Sequence, residues 1–311
     1  MQHFLGIEEL TAEDLESLLG AAAEIKRNLP SAAPPVPSGR ILVNLFFESS
    51  TRTRVSFEIA ARRLGHEVVN WTTQGTSHEK GETLLDTTAT LAAMGPAVIV
   101  LRHPAAGAPW LLASRSERGP AEPGGYAVVN AGDGAHEHPS QALLDALTLR
   151  EQLGTLRGKT IAIVGDLAHS RVARSNLFCL TKLGATVRLC GPAGLRPVGL
   201  ESLGPPGTVS VHASLEEAIE GVDAVMGLRI QRERLDGGGF IGEAQYRRRY
   251  GLTRERLSRL PPHAVVMHPG PLNRGVELTP ELADGPRSVI LGQVENGIPI
   301  RMAILERVMQ R

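Results

Sequence analysis

The sequence predicts an α/β protein made of two doubly wound parallel-sheet domains with an interdomain cleft. The chain has 311 residues, which is enough for about two domains of ordinary size. Short apolar runs alternate with amphipathic helical patterns, and this alternation is typical of parallel sheets covered by helices on both faces. The rhythm restarts after a break near residues 135–155. We therefore expect one sheet on each side of that break.

The first half is predicted to contain four strands. An acidic helix is expected from Thr11 to about Lys26, and a proline-rich link from Pro30 to Pro37 follows it. Apolar runs predict strands near residues 40–47, 67–71, 97–101 and 126–130. Amphipathic patterns predict helices near residues 52–64, 81–94 and 138–153. This half, residues 1–137, is the first expected domain.

The second half repeats the alternation and is predicted to contain five strands. Apolar runs predict strands near residues 160–164, 186–190, 208–211, 222–227 and 264–267, and a helix is expected near 171–183. Residues 138–287 form the second expected domain. The segment 288–311 has a helical pattern of apolar residues. That helix can pack on the nearer domain or cross back to the first, and we expect it to cross back.

Composition excludes several classes of partner. Lys plus Arg and Asp plus Glu both number 33, so no overall charge attracts nucleic acid or an anionic membrane. No apolar stretch approaches the ~20 residues of a membrane span, and the N-terminal residues lack a signal-peptide pattern. The only cysteines, Cys179 and Cys190, have neither zinc-site nor CxxC spacing. These features predict a cytoplasmic protein without nucleic-acid or membrane partners.

The strongest functional signal lies where the first strand runs into a helix, in the segment FFESSTRTR at 46–54. A helix N-terminus presents unpaired N–H groups, and its dipole favours an anion. Ser50, Thr51 and Thr53 add hydroxyl donors, and Arg52 adds a planar guanidinium that suits phosphate oxygens. Ordinary helix capping is the alternative, but capping does not require four hydroxyls and two arginines in six positions. We predict a phosphate site.

Three further groups of the first half can serve the same ligand. Arg102 follows a strand, so it should emerge at the same sheet edge as the phosphate motif. His138 and Gln141 lie three positions apart at a helix start, where a histidine can donate to a carbonyl oxygen and a glutamine can hold an amide. Ser77 and Lys80 lie in a long polar loop that could close over an anion.

The strand ends of the second half carry groups that suit carboxylates. Arg171 opens a helix directly after a strand, in a segment that lacks the GxGxxG fingerprint of dinucleotide-binding proteins. Arg229 and Gln231 end another strand and alternate onto the same side. Two arginines and a glutamine describe a site for a dicarboxylate.

Two other features complete the set of candidates. The turn His268-Pro269-Gly270-Pro271 ends a strand, and its carbonyls are expected to face a ligand. His136 and His138 could hold a metal, but their spacing matches none of the usual zinc-site patterns. We therefore predict no metal site, and no cofactor is implied.

Taken together, these motifs resemble the aspartate/ornithine carbamoyltransferase family, in its aspartate branch, over nearly the whole chain. The matching segments are FFESSTRTR with VSFE after it, the KGET loop, HPSQALLD, LRIQ and HPGP. The resemblance implies a first domain that binds carbamoyl phosphate and a second that binds L-aspartate. It implies transfer of the carbamoyl group to the aspartate amine, an early step of de novo pyrimidine biosynthesis. It also implies a homotrimer with shared sites, which can join regulatory or dihydroorotase-type chains.

The resemblance assigns a role to each candidate residue. The phosphate would be bound by Ser50, Thr51, Arg52 and Thr53. Polarisation of the carbamoyl carbonyl falls to Thr53, Arg102 and His138, while Gln141 and the Pro269 carbonyl would hold the carbamoyl NH₂. Gly270 stands where some relatives carry Leu and keeps a backbone contact. Aspartate carboxylates would bind Arg171, Arg229 and Gln231, and the neighbouring chain would supply Ser77 and Lys80.

Three other functions compete with this interpretation. The ornithine branch shares the phosphate motif and the His–Gln motif, but its usual cysteine in an HCLP segment is absent here, where HPGP stands. The Arg171 and Arg229 pair would also repel the second ammonium group of ornithine. A non-catalytic subunit of the same fold would not need the full polar set, and a dehydrogenase is disfavoured by the missing glycine fingerprint. No Ser–His–Asp or Cys–His set indicates a covalent step.

Overall fold

The computed structural model describes residues 1–29, 35–72, 81–116, 125–230 and 242–309. The chain folds into two compact units. Unit 1 comprises Met1–Ser140 and Asn296–Arg311, and unit 2 comprises Gln141–Glu295. Within the described ranges, no helix is both long enough and apolar enough to cross a membrane.

Unit 1 is built on a four-stranded parallel sheet. Its strands are β1 (Ile41–Phe46), β2 (Glu67–Thr72), β3 (Val98–His103) and β4 (Ala127–Asp133). Its first four helices are α1 (Ala12–Asn28), α2 (Thr51–Arg63), α3 (Leu84–Ala93) and α4 (Ala108–Ala113). The spatial order is β2-β1-β3-β4, and the three pairs of neighbouring strands are parallel.

Unit 2 is built on a five-stranded parallel sheet. Its strands are β5 (Thr160–Val164), β6 (Thr186–Cys190), β7 (Val209–His212), β8 (Ala224–Gly227) and β9 (Val265–Met267). The helices of this half are α5 (Pro139–Leu153), α6 (Arg171–Lys182), α7 (Leu215–Ile219), α8 (Glu243–Tyr250), α9 (Arg254–Leu257) and α10 (Pro280–Ala283). Short 3₁₀ turns lie at Ala193–Leu195 and Leu200–Leu203. The spatial order is β7-β6-β5-β8-β9.

Both sheets reverse their strand order at one point. In unit 1 the chain moves from β1 outward to β2 and then returns to the other side of β1 with β3 and β4. In unit 2 it moves from β5 through β6 to β7 and then returns beside β5 with β8 and β9. Ligands of open parallel sheets bind at such switch points, outside the carboxyl ends of the strands. The expected binding positions are therefore β1/β3 and β5/β8.

The last helix, α11 (Ile290–Met309), belongs to both units. Its second half is buried in unit 1, where the guanidinium of Arg301 lies 5.1 Å from the ring centre of Phe57. Arg40 donates to the carbonyl of Met309, and Lys26 Nζ donates to Asn296 Oδ1 over 2.7 Å. These contacts attach the end of the chain to α1, α2 and the start of β1.

The predicted fold class is confirmed: the two halves form parallel sheets of four and five strands. The predicted β5 and β6 match the observed bounds, and the other strands match within a few residues. The prediction for β4 was wrong at its end, because the strand continues past Asn130 to Asp133. The strand tolerates these polar residues because the side chains of Asn130 and Asp133 bond each other over 2.8 Å. The short helices α4, α7, α8, α9 and α10 were not predicted.

Candidate active site

The phosphate motif forms the junction between β1 and α2. Ser50 is the N-cap of α2 in extended conformation, and within the described part of the chain its side chain makes no capping hydrogen bond. The first turn of α2 carries no acidic residue. Thr51 and Arg52 are exposed, whereas Thr53 is buried. The N-terminus of α2 thus presents backbone N–H groups, hydroxyls and a guanidinium without a carboxylate of its own to neutralise them.

Arg102 lies at the same sheet edge, although it belongs to the end of β3 and does not follow the strand as the sequence predicted. It pairs in register with Phe46, the last residue of β1. Its Nε lies 3.4 Å from Glu48 Oε2, and its Nη1 donates to the carbonyl of Ala131 over 3.2 Å. Glu48 belongs to the phosphate motif but was given no role by the sequence analysis. The ion pair fixes the guanidinium of Arg102 across the switch point between β1 and β3.

His138 is held beside Thr53. The Oγ1 of Thr53 lies 3.4 Å from Nε2 of His138, and both side chains are buried. The preceding loop is organised by Asp133, which is fully buried and accepts the N–H of Gly107 over 2.7 Å and that of Glu137 over 3.2 Å. The sequence-predicted grouping of Thr53, Arg102 and His138 thus comes from three strand ends of one sheet.

A metal at His136 and His138 is not favoured by this geometry. His138 is directed to Thr53, while ligand atoms of His136, Glu8 and Glu137 lie within 4.8 Å of one another. Glu137 is fully buried, and its oxygens accept the N–H groups of Ile7 and Glu8 at 2.9–3.1 Å. We interpret this cluster as the anchor of the N-terminal segment on β4.

In unit 2, Arg171 stands at the start of α6, directly after the loop that leaves β5. Ser170 caps this helix, because its Oγ accepts the N–H of Ala173 over 3.1 Å. The loop itself is shaped by Asp166, whose Oδ1 accepts the N–H of His169 over 3.1 Å. Arg171 is half-buried. A cation is thereby held at the β5 side of the second switch point.

Arg229 stands on the β8 side of the same switch point. It is exposed, two residues beyond the end of the strand. The next residue, Ile230, is clamped on both sides: its N–H donates to Glu277 Oε1 over 2.8 Å, and its carbonyl accepts from Asn273 Nδ2 over 2.8 Å. Burial raises the pKa of the Glu277 carboxyl above its ordinary value, although the hydrogen bonds from Ile230 and Asn273 act in the opposite direction. The hydrogen bonds of Ile230 fix the backbone beside Arg229 and direct the Arg229 side chain away from the core.

The His268-Pro269-Gly270-Pro271 turn follows β9, the next strand along. The N–H of His268 donates to Gln293 Oε1 over 2.9 Å, and the N–H of Gly270 donates to His268 Nδ1 over 2.9 Å. Gly270 has φ of 65°, which side chains rarely adopt, so Leu would be strained here. The peptide bond between Gly270 and Pro271 is cis. Pro269 and Gly270 are partly exposed, which leaves their backbone accessible.

The predicted residues that the structure describes divide between the two units. Unit 1 carries Ser50, Thr51, Arg52, Thr53, Arg102 and His138; unit 2 carries Gln141, Arg171, Arg229, Pro269 and Gly270. Ser77, Lys80 and Gln231 lie outside the described residues. Burial raises the pKa of the Cys190 thiol to about 11, so this thiol is protonated at neutral pH and is not a nucleophile.

The structure contains two open parallel sheets, and each has arginines at its switch point. Neither half carries a dinucleotide fingerprint. These features define a two-domain α/β protein that binds small anions. Residues 2–151 match the model of the aspartate/ornithine carbamoyltransferase carbamoyl-P binding domain, and residues 157–308 match that of the Asp/Orn binding domain. The chain belongs to the aspartate/ornithine carbamoyltransferase family.

Similar proteins occur in both branches of the family. The aspartate carbamoyltransferase catalytic subunit of Anaeromyxobacter sp. (strain K) is 53% identical over 307 residues, covering 98% of this chain and 94% of that protein. A crystal structure of Trypanosoma cruzi aspartate transcarbamoylase with carbamoyl aspartate and phosphate has a TM-score of 0.83 at 30% identity, covering 99% and 96% of the two chains. Pyrococcus furiosus ornithine carbamoyltransferase has a TM-score of 0.86 at 27% identity, covering 99% and 97%. Fold alone therefore does not separate the branches.

Proposed function

We propose that this chain is an aspartate carbamoyltransferase. It transfers the carbamoyl group of carbamoyl phosphate to the amine of L-aspartate and releases N-carbamoyl-L-aspartate and phosphate, an early step of de novo pyrimidine biosynthesis. The two groups of site residues serve this one reaction, unit 1 as the carbamoyl-phosphate-binding domain and unit 2 as the aspartate-binding domain.

The carbamoyl phosphate half rests on the N-terminus of α2. Its phosphate accepts hydrogen bonds from the N–H groups and hydroxyls of residues 50–53 and from the guanidinium of Arg52. Thr53, Arg102 and His138 direct donors at the carbamoyl carbonyl oxygen. The 3.4 Å separation of Thr53 Oγ1 and His138 Nε2 supports this role, because two donors that close can address one oxygen atom.

The aspartate half rests on Arg171 and Arg229 at the β5/β8 switch point, with Gln231 and Lys80 assigned by motif alone. Each guanidinium can bind one carboxylate with two parallel hydrogen bonds. Ornithine carries an ammonium group where aspartate carries its second carboxylate, and a second arginine would repel that group. This pair of arginines favours aspartate over ornithine.

The reaction proceeds by direct attack of the neutral aspartate amine on the carbamoyl carbon. A tetrahedral intermediate forms, the C–O bond to phosphate breaks, and the departing phosphate takes the amine proton. Donors already aimed at the developing oxyanion lower its energy without reorganisation, and the two binding groups hold the reactants in position. The chain contributes by orienting the two substrates and by stabilising the charge on the developing oxyanion, with no covalent intermediate.

The observation that carries the proposal is the placement of anion-binding side chains at both switch points of a family member. The test is an assay with carbamoyl phosphate and either L-aspartate, L-ornithine or no acceptor, scored by the carbamoyl amino acid that forms. Carbamoyl aspartate alone is expected. Carbamoyl ornithine as the main product would reject the aspartate assignment, and release of phosphate without any carbamoylated product would reject transferase activity.

We also propose a homotrimer in which Ser77 and Lys80 of one chain complete the site of its neighbour, and which can associate with regulatory or dihydroorotase-type chains. A cytoplasmic location is proposed because the sequence has only two cysteines, Cys179 and Cys190, with neither CxxC nor zinc-site spacing, as is usual in reducing compartments.

A further inference from the structure

A buried carboxylate lies in unit 2, on α5, one turn after Gln141. Asp145 is fully buried and accepts hydrogen bonds from three side-chain amides. Its Oδ1 accepts from Nε2 of Gln141 at 2.9 Å and from Nε2 of Gln293 at 2.7 Å. Its Oδ2 accepts from Nδ2 of Asn176 at 2.8 Å. One carboxylate thus joins α5, α6 and α11 within this unit.

The chemistry of the carboxylate fixes which way each amide points. An ionised carboxylate only accepts hydrogen bonds, whereas a primary amide has a donating NH₂ and an accepting oxygen. Each of the three amides must therefore turn its NH₂ toward Asp145 and its oxygen elsewhere. Gln293 shows the consequence directly, because its Oε1 accepts the N–H of His268 over 2.9 Å.

The same constraint acts on Gln141. With Nε2 committed to Asp145, Oε1 of Gln141 is the atom left for a ligand, and it is an acceptor. Through Gln293, Asp145 also holds the backbone at His268, the residue that precedes Pro269. Gln141 Oε1 and the Pro269 carbonyl are the two acceptors assigned above to the NH₂ of the carbamoyl group.

We propose that Asp145 is a positioning residue that selects the carbamoyl NH₂ by fixing the amide orientation of Gln141 and the Pro269 turn. This inference rests on the proposed function. Asp145 itself touches no reacting atom. Its effect is specificity for an acyl phosphate that carries NH₂, because a methyl group in that position offers no donor to the two acceptors.

The test compares carbamoyl phosphate with acetyl phosphate, which has CH₃ in place of NH₂. Asp145→Asn keeps the shape of the side chain but replaces one acceptor oxygen by NH₂. That NH₂ faces amide donors, so one of the three neighbouring amides must rotate or lose its hydrogen bond. We expect the KM for carbamoyl phosphate to rise about 3- to 10-fold, as for one lost hydrogen bond. The inhibition constant of acetyl phosphate should stay within twofold. A merely structural defect would weaken both ligands.

Two variants calibrate the measurement. Gln141→Met removes one of the two acceptors outright and sets the loss of preference for carbamoyl over acetyl phosphate that corresponds to Gln141. Thr148→Val is the matched control on the same helix, because it removes a buried hydrogen bond to the Leu144 carbonyl (2.7 Å) away from Gln141. It should leave the preference unchanged. Urea unfolding of all variants reports their stability.

An equal loss for both ligands in Asp145→Asn, or no loss for either, overturns the role of Asp145. Should that variant fail to fold, Gln293→Met interrupts the same contacts from the Pro269 side and should lower the carbamoyl preference; an unchanged preference overturns the proposal. The wild type is assayed first. If it forms no carbamoyl aspartate, the proposed function fails, whereas an active wild type with unaffected variants rejects the inference alone.

Discussion

The 3.4 Å contact between Thr53 and His138 joins residues 85 positions apart in the chain. Neither residue would be identified as a site residue on its own, since threonines at helix starts and buried histidines are common. Their meeting at the carboxyl edge of the sheet that also carries Arg102 supports the donor role proposed for each. At the scale of single residues, the candidate site is an arrangement of donors around one oxygen position.

His138→Ala should lower the turnover number by about 10²–10³, the typical cost of one oxyanion donor. The measurement is kcat for carbamoyl aspartate formation, together with the unfolding midpoint to show an intact fold. His136→Ala is the matched control, because His136 lies in the same loop but contacts Asp133 and the Trp110 ring. Activity of the His138 variant within twofold of wild type would remove it from the mechanism.

Arg229→Ala should raise the KM for aspartate about 10- to 100-fold, the range for one lost charge-assisted hydrogen bond. The KM for carbamoyl phosphate should change by less than twofold, because Arg229 belongs to the other binding group. Steady-state kinetics with each substrate varied in turn gives both values. Arg249→Ala, an exposed arginine beside the Tyr250 ring, is the control. Equal effects on both substrates would contradict the assignment to aspartate.

Several residues that hold the site could not be predicted from sequence. Glu48, Glu137, Asp145 and Glu277 are carboxylates whose partners lie on other segments, as in the 130 positions between Glu137 and Ile7. Sequence patterns show the residue that meets a ligand, because motif and strand end coincide. Sequence patterns do not show which buried carboxylate holds that residue in place, since the pairing of the two depends on tertiary packing. Asp145 is the last residue of the HPSQALLD motif. Its position four residues after Gln141 on a predicted helix was the one sequence signal for a contact between the two.

At the scale of elements, strands were predicted better than helices. The strands are short, apolar runs, and burial on both faces makes them stand out in any sequence. Helices α4, α7, α8, α9 and α10 are 4–8 residues long, too short to show a 3.6-residue period. They form because caps and packing favour them, as with Ser214 Oγ accepting the N–H of Glu217 at the start of α7.

Asp223 ties three elements of unit 2 at the sheet edge opposite to the candidate site. Its carboxylate accepts the N–H of Thr160 over 2.9 Å and contacts Lys159 Nζ at 3.1 Å and His263 Nε2 at 2.9 Å. Burial acts to raise the pKa of Asp223, but the hydrogen bonds from Thr160, His263 and Lys159 outweigh it and hold the pKa below its ordinary value. The folded state thus favours the ionised form.

Asp223→Asn should therefore destabilise unit 2 in a pH-dependent way. A lowered pKa in the folded state gives stability that is present above the unfolded value of about 3.9 and lost as pH falls through the folded value. We expect a loss of about 1 kcal/mol at pH 7, since the group is near the surface. Urea unfolding at pH 7 and below pH 4 measures it. Equal losses at both pH values would contradict the ionic origin, and kcat should not change.

At the scale of the whole molecule, the sheet order explains why predicted site residues of each unit lie near neighbouring strand ends. Arg52, Arg171 and Arg229 follow β1, β5 and β8, and the two switch points lie at the ends of these strands. The strand order itself was not readable from the sequence, because an apolar strand pairs equally well with several neighbours. The family resemblance supplied the functional roles that strand order alone does not.

Sharing of sites between subunits is tested with two inactive chains. A chain with Lys80→Ala and one with Arg52→Ala each lack a group for the same site. In mixed oligomers of the proposed trimeric form, some sites should combine the intact Arg52 of one chain with the intact Lys80 of another, so activity should reappear. The measurement is specific activity of purified hybrids, with each mutant homotrimer as control. Verified hybrids that stay inactive would show that each chain completes its own site.

The helix α11 sets an order of events during synthesis. Unit 1 includes Met1–Ser140 but also needs the part of α11 that follows Glu295, so all of residues 141–295 are translated before that part exists. At about 5–20 residues per second, a ribosome delivers that piece roughly ten to thirty seconds after Ser140. During this interval the nascent unit 1 leaves uncovered the apolar side that includes Phe57, a surface of the kind that chaperones recognise.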